Sequence, residues 1–332
     1  MTLSPLLPWQ QQDWVHLQRY IKQQRIPQAL LISGKKGWGK QHLVNQFVYS
    51  LLCAKPQADG LACGHCHSCG LLSSETHPDY MVIKPDELGK SLTIDQIRNV
   101  IARLTLKPQY DGYRIVIVNP ADAMNANAAN AFLKCLEEPT ERTVIILISE
   151  KTQALPATIV SRCQKMALTI PCRATLLVWL QHQQPDYSTS DIETLLDLAQ
   201  NAPLLALQYA TDETLSLRNT CFSSWMAIAE RRIHPVIVAE LWQKIPESPL
   251  IFWMTSWVID MIKCIYQPGS QQLYNPDLSK SLQALAQQLE LKALYKLYDL
   301  LLISRQRLQT PINKQCLLEE ILIQWFQLNQ CK

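Results

Sequence analysis

The 332 residues carry 31 Lys plus Arg against 28 Asp plus Glu, a formal charge of +3, with 48% hydrophobic residues, 18% charged residues and only nine glycines. That length allows two to three domains with real cores, and the composition excludes a disordered or low-complexity chain. The small net charge is too weak to make this a free-standing nucleic-acid binder by charge alone, so any DNA contact needs a local patch or partner chains.

The N-terminal stretch MTLSPLLPWQQQDWVHLQRY has no basic region followed by an apolar core of signal-peptide length. No uninterrupted apolar run approaches roughly 18 residues. A cytoplasmic location with no membrane partner is therefore expected. From Ile26, the text IPQALLISGKKGWGKQHLVNQFVYSLLC reads as strand, Gly-rich loop and helix, with Leu43, Phe47, Val48, Leu51 and Leu52 at helical spacing. YMVIKP at 80–85 is a second strand, and TIDQIRNVIARLTL is a helix capped by Thr93, with Ile97, Ile101 and Leu104 on one face. RIVIVNP at 114–120 and TVIILIS at 143–149 are apolar runs suited to strands buried on both faces, with the helical NANAANAFLKCLEE between them. This alternation predicts an α/β first half built on a parallel sheet with right-handed crossovers.

After Pro171 the strand signal ends. ATLLVWLQHQ, DIETLLDLAQ and PLLALQYA read as three short helices punctuated by Pro185 and Pro203. From about Asp212 the helices lengthen, as in LIFWMTSWVIDMIKCIY, KALYKLYDLLLISRQRL and CLLEEILIQWFQL, with Pro246, Pro249, Pro268, Pro276 and Pro311 at or between their ends. The expected division is 1–169, an α/β nucleotide-binding-like domain; 170–211, a small helical domain; and 212–332, an all-helical domain. Leu317, Leu318, Ile321, Leu322, Trp325 and Phe326 suit either an internal core or contacts between subunits.

The loop GKKGWGKQ begins as a phosphate-binding loop, with Gly34, Gly37, Gly39 and Lys40 as candidate nucleotide ligands. A Gly-rich turn between a buried strand and a helix presents backbone N–H groups at a helix N-terminus, where the dipole favours an anion. Magnesium, however, needs a hydroxyl at the next position and a carboxylate ending a neighbouring strand. Gln41 stands at the first, and Asn119 and Pro120 at the second, with Asp122 three residues too far on. Two groups lost from one magnesium argue against hydrolysis by this chain. What remains open is a loop that only caps its helix, or weak ATP binding without turnover, since Lys35, Lys36 and Lys40 make the loop locally positive.

Of eleven cysteines, Cys53, Cys63, Cys66 and Cys69 cluster as C-x9-C-x2-C-x2-C, while the rest are scattered. The last three fall on one turn, CGHCHSC, eased by Gly64 and Gly70, with Cys53 returning from the end of the preceding helix. Four thiolates in a reducing compartment suit tetrahedral zinc in a closed, structural site. His65 and His67 interleave the cysteines as alternative ligands. An iron–sulfur cluster uses the same donors, but nothing in the sequence suggests electron transfer.

Taken together, QALLISGKKGWGK, CGHCHSC, HPDY at 77–80, NANAANAFLKCLEEP at 125–139 and LPATIVSRCQ at 155–164 resemble the bacterial clamp-loader AAA+ ATPases of DNA polymerase III. The resemblance implies an AAA+ domain with an inserted zinc module, a helical lid and a C-terminal collar through which subunits assemble. Within the family, the degenerate loop is similar to that of a subunit without hydrolysis of its own. The alternative is an active gamma/tau-like ATPase with an atypical magnesium site. Two further family positions depart from the active pattern: the sensor threonine falls at Ser149 and Glu150, and the lid arginine falls near Leu204. Arg162 of the SRC motif is retained, and the resemblance implies that it acts in trans as an arginine finger on a neighbouring subunit's ATP. It further implies gamma/tau and delta subunits as partners, with the sliding clamp and primer-template DNA met through the assembled complex.

Overall fold

The computed structural model describes residues 5–87, 90–104, 109–110, 112–138, 140–267, 273–308 and 313–329. Pro139, Pro268, Pro311 and the last two residues of the helix expected to end at 106 lie outside the described residues. The chain divides into two compact units, one built from residues up to Trp179 together with Ala202–Leu204, the other from Leu180–Asn201 and Leu205 onward.

The first unit opens with helix α1 (Gln11–Lys22), strand β1 (Ala29–Ser33), α2 (Lys40–Leu52) and the short α3 (His67–Ser73). It continues through β2 (Tyr80–Ile83), α4 (Ile94–Leu104), β3 (Arg114–Val118), α5 (Ala126–Glu137), β4 (Thr143–Ser149), α6 (Ala157–Val160) and β5 (Gln164–Ala167). The five strands form one parallel sheet in the order β2-β3-β4-β1-β5. Branched apolar side chains fill β3 after Arg114 and β4 between Thr143 and Ser149, and both strands are buried throughout, as a sheet covered on both faces requires. The α/β P-loop layout expected from the resemblance is therefore present.

β5 was not anticipated. It is a four-residue edge strand with three exposed positions, so it carries neither an apolar run nor a clean alternation. Its register nevertheless matters for function: Leu30 lies beside Gln164 and Ser33 beside Ala167.

Two helices are held against the sheet by recognisable local chemistry. Asn125 caps α5 by accepting the Ala128 N–H at 2.8 Å, and Ala128, Ala129 and Phe132 share a core cluster with Val116, Val118 and Leu147. Thr93 starts α4 with a reciprocal box, its Oγ1 accepting the Gln96 N–H at 3.4 Å while Gln96 Oε1 accepts the Thr93 N–H at 3.0 Å.

The helices that follow are α7 (Arg173–Gln183), α8 (Thr189–Leu198), α9 (Pro203–Thr211), α10 (Thr214–Ala229), α11 (Pro235–Trp242), α12 (Glu247–Tyr266), α13 (Ser279–Ala286), α14 (Leu291–Arg307) and α15 (Lys314–Leu328). In the second unit α12 packs on α13 and α14, and α15 packs on α10, α11 and α14. Trp225 stacks on Trp325 with centroids 4.3 Å apart, and the Trp325 indole N–H donates to the Trp225 carbonyl at 3.0 Å. Leu317, Leu318, Ile321, Leu322 and Trp325 are buried, which assigns them to the core rather than to an outer surface; Phe326 is half-buried.

By length and composition α12 is apolar enough to cross a membrane. Ten of its residues, Asp260 among them, are buried within the unit, so its apolarity fills a core. Asp260 accepts the backbone N–H groups of Tyr274 and Asn275 at 2.9 and 2.8 Å. Fully buried Arg218 on α10 grips Asp277 with both terminal nitrogens at 2.7 and 3.0 Å and also donates to Asn275 Oδ1 at 2.7 Å.

Candidate functional site

The phosphate loop leaves the C-terminal end of β1 and enters α2 through Gly39, whose φ of +86° only glycine adopts without strain. A side chain there would also strike the N-terminal segment: its Cβ would lie 2.7 Å from Gln10 Nε2 and 2.8 Å from Leu7 Cδ1. That segment covers the loop, with the Trp9 indole N–H donating to the Trp38 carbonyl at 3.0 Å and Gln10 Nε2 to the Gly39 carbonyl at 2.8 Å.

Lys40 does not project freely toward an incoming phosphate. Its ammonium donates to the carbonyls of Gly34 and Lys35 at 2.8 and 2.9 Å and lies 3.6 Å from the Glu150 carboxylate. Burial pulls its pKa below the ordinary lysine value, and Glu150 and Asp122 partly offset that shift. Glu150 is itself held in place by its backbone N–H, which donates to Asp122 Oδ1 at 3.0 Å.

The two positions expected to handle magnesium are joined to each other. Asn119 Nδ2 donates to Gln41 Oε1 at 2.6 Å, and Gln41 Nε2 donates on to Asn45 Oδ1 at 2.6 Å. Neutral amides replace the hydroxyl and carboxylate that a divalent cation requires. The two other positions that depart from the active pattern also fall around the loop: Glu150 pairs with Lys40, and the Leu204 N–H donates to the Gly37 carbonyl at 3.1 Å.

Cys53, Cys63, Cys66 and Cys69 converge with all four sulfurs within 4.8 Å of one another. Sγ separations of 3.5, 3.9 and 4.0 Å for the pairs 53–63, 53–66 and 63–69 are far from a disulfide. They bracket the edge of about 3.8 Å that four Zn–S bonds of about 2.3 Å would give a tetrahedron. The donor set thus fits a metal ion. Backbone N–H groups of Lys55 and Cys63 point at Cys53 Sγ, and those of Cys66 and Cys69 at Cys63 and Cys66 Sγ, over 3.3–3.5 Å. Burial opposes ionisation of Cys66, but the backbone donors from Cys69 and Ala54 together with the Cys69 and Cys63 thiols outweigh it and bring the thiol to about 6.

Two details differ from the sequence expectation. Cys69 lies in the first turn of α3, not on the turn with Cys63 and Cys66, and Gly70 lies inside that helix without a positive φ, whereas Gly64 has φ of +80°. His65 turns its Nδ1 to the Cys63 carbonyl at 2.9 Å, and neither His65 nor His67 joins the cysteine group.

HPDY ties this module to the sheet. The Asp79 N–H donates to His77 Nδ1 at 3.2 Å, so the ring proton sits on Nε2, which donates to Ser68 Oγ at 3.1 Å. Ser68 in turn donates to the Leu52 carbonyl at 2.6 Å. A histidine that gives its proton to the hydroxyl is no base for it, so Ser68, His77 and Asp79 brace the fold and do not form a nucleophilic triad. The Asp79 carboxylate accepts the N–H groups of Gln109 and Tyr110 at 3.0–3.1 Å.

Arg162 lies at the other end of the sheet from Lys40. It precedes Gln164, which pairs with Leu30 near the start of β1, whereas the phosphate loop follows Ser33 at its finish. At about 3.3 Å per residue the two ends are roughly 15 Å apart. The guanidinium donates from Nη1 to the Thr158 carbonyl at 3.0 Å and from Nη2 to Glu137 Oε1 at 2.7 Å, on a half-exposed surface.

A family model described as DNA polymerase III, delta subunit, matches residues 9–171, and one described as its C terminal matches residues 212–327. DNA polymerase III subunit delta' of Pseudomonas aeruginosa is 34% identical over 328 residues, covering 98% of this chain and 99% of that one. The chain belongs to the delta-prime subunits of the DNA polymerase III clamp loader. Subunit delta' of Escherichia coli is 28% identical over 319 residues, 95% of this chain and 94% of that one. A more distant relation is subunit tau of Bacillus subtilis, 23% identical over 318 residues, 88% of this chain and 56% of that one.

The sequence offered the loop, the cysteines and Arg162 as candidates, but not the groups that contact them. Glu137 and Gln10 were missed because their partners lie 25 and 29 residues away with no local motif between them. NAFLKCLEE offered a hint: a helix that ends in two carboxylates close to the SRC arginine in the fold.

Proposed function

We propose that this chain works in the clamp loader without hydrolysing ATP, helping to load the sliding clamp onto primed DNA while offering Arg162 to the ATP of a neighbouring subunit. The observation that carries this reading is the bond between Gln41 and Asn119, which joins two neutral amides where an active site would place its metal ligands. Lys40, turned onto its own loop carbonyls and Glu150, supports at most weak nucleotide binding. Gly34, Gly37 and Gly39 then shape the turn rather than a working phosphate cradle.

The position of Arg162, remote from this chain's own loop, supports action in trans. A guanidinium set on developing phosphate charge is worth about a thousandfold or more in turnover. The gamma/tau and delta subunits are the proposed direct partners, with the sliding clamp and primer-template DNA reached through the complex. With a charge of +3, the chain alone should bind DNA weakly and with strong salt dependence. Cys53, Cys63, Cys66 and Cys69 would hold zinc as a closed structural ion that cross-links the segment between α2 and α3. We further assign residues 170–211 to a lid and 212–332 to the collar domain.

The test is DNA- and clamp-stimulated ATP hydrolysis by the reconstituted loader, with Arg162→Ala and Lys40→Ala introduced in this chain alone. Slower turnover with the first and unchanged turnover with the second is expected. Damage from Lys40→Ala with none from Arg162→Ala would favour the gamma/tau-like alternative and overturn the proposal.

A further inference from the structure

Arg162 has two partners drawn from two different elements. Glu137, the last residue of α5, accepts from Nη2 at 2.7 Å, while Thr158 on α6 accepts from Nη1 at 3.0 Å through its carbonyl. The helices themselves pack against each other, so the two acceptors keep a fixed spacing. Two anchors on the two terminal nitrogens fix both the position and the plane of the guanidinium. A single anchor would leave it free to rotate about the bond.

The arrangement holds the arginine without using it up. A guanidinium carries five N–H donors, and these contacts engage two of them. The side chains of Arg162 and Glu137 are 37% and 48% exposed, so the remaining N–H groups can donate to an outside ligand with Glu137 still in place. An unanchored arginine on such a surface samples many rotamers and loses that freedom when it engages phosphate. Holding it beforehand removes part of the loss, which is how a residue that touches no substrate affects a rate.

We propose that Glu137 is a positioning residue for the Arg162 finger, orienting its guanidinium before it meets phosphate oxygens on the neighbouring subunit. This rests on the proposed action of Arg162 in trans. The carboxylate also opposes the phosphate charge, but at a solvated surface that repulsion is screened, while the charge-assisted bond to Arg162 is short. An exposed ion pair of this kind sets the scale at roughly 1.5- to 5-fold in rate.

The reconstituted loader provides the test, with Glu137→Ala, Glu137→Gln, Arg162→Ala and the Glu137→Ala, Arg162→Ala double variant in this chain. Thermal melting of each purified chain confirms that it folds. Glu137→Ala should lower kcat for DNA-stimulated ATP hydrolysis by roughly 1.5- to 5-fold with little change in KM for ATP. Glu137→Gln, which retains an acceptor oxygen, should recover most of the rate. In the Arg162→Ala background, Glu137→Ala should have no further effect. An equal loss in both backgrounds would place the role of Glu137 elsewhere and overturn the inference. So would an unchanged or faster kcat for Glu137→Ala beside a slowed Arg162→Ala, and in that case the action of Arg162 in trans would stand. If Arg162→Ala itself had no effect, both would fall together.

Discussion

Asn119 and Gln41 are bonded side chain to side chain at 2.6 Å, although 78 positions separate them in sequence. In a working P-loop enzyme the corresponding groups are bridged by a cation and do not bond each other. Here the bridge is a hydrogen bond between neutral amides, and Lys40 is turned inward onto Gly34, Lys35 and Glu150. Lys40 and the two amides at the magnesium positions thus find partners within the chain.

Nucleotide titrations of the isolated chain should reflect this. A fluorescent ATP analogue is expected to bind weakly, and magnesium should not strengthen it, because neither Gln41 nor Asn119 brings a negative charge. Glu150→Ala frees Lys40 from its carboxylate and should raise affinity by about two- to fivefold, the range of a partly exposed ion pair. Tight binding that needs magnesium in the unaltered chain would sink this account.

Metal removal should affect stability first. One zinc per chain is expected by elemental analysis, and Cys69→Ser should lower that content. If the lost ligand costs about 3 kcal/mol, the first unit should melt roughly 6–12 °C lower. A chain that contains no metal when purified under reducing conditions, yet melts like the zinc-loaded one, would refute a structural role.

The main elements of the sheet were legible because buried parallel strands are written as continuous apolar runs, which RIVIV and TVIILIS are. β5 was not, since an edge strand needs only its backbone and QKMA shows no period. Similarly, the cysteines announced themselves by local spacing. The Glu137 contact to Arg162 and the Gln10 cover on the loop depend on tertiary placement, which no local pattern encodes. Leu317, Leu318, Ile321, Leu322 and Trp325 were ambiguous for a different reason: core and interface ask for the same side chains, and only packing separates them.

His77 should make the first unit sensitive to acid. Burial holds its pKa below the ordinary 6.5, with Asp79 opposing the shift, and the neutral ring accepts the Asp79 N–H on Nδ1. As pH falls through that value, the unfolded chain takes up the proton first, so stability drops until the folded pKa is reached. Above the ordinary value of 6.5 the contribution is fully present. Urea melts from about pH 7.5 down to about 5 should show this loss at constant metal content, and His77→Gln should flatten it. An unchanged slope in that variant would assign the acid sensitivity to other groups.

Arg218 and Asp277 provide a test in the second unit. The arginine side chain is fully buried and spends both terminal nitrogens on Asp277, whereas Asp277 is 27% exposed. Removing the acid leaves a buried cation with Asn275 and Asn219 as its side-chain partners among the described residues, and breaking a buried pair from one side costs about 3 kcal/mol or more. The partial exposure of Asp277 admits water and moderates that cost, so Asp277→Ala should destabilise the unit by about 2–3 kcal/mol. Arg218→Met combined with Asp277→Ala should cost less than Asp277→Ala alone, because the apolar stem remains packed while the unpaired charge is gone. Chemical unfolding of the three proteins decides it. If the double variant were the least stable, Arg218 would contribute through contacts other than this ion pair.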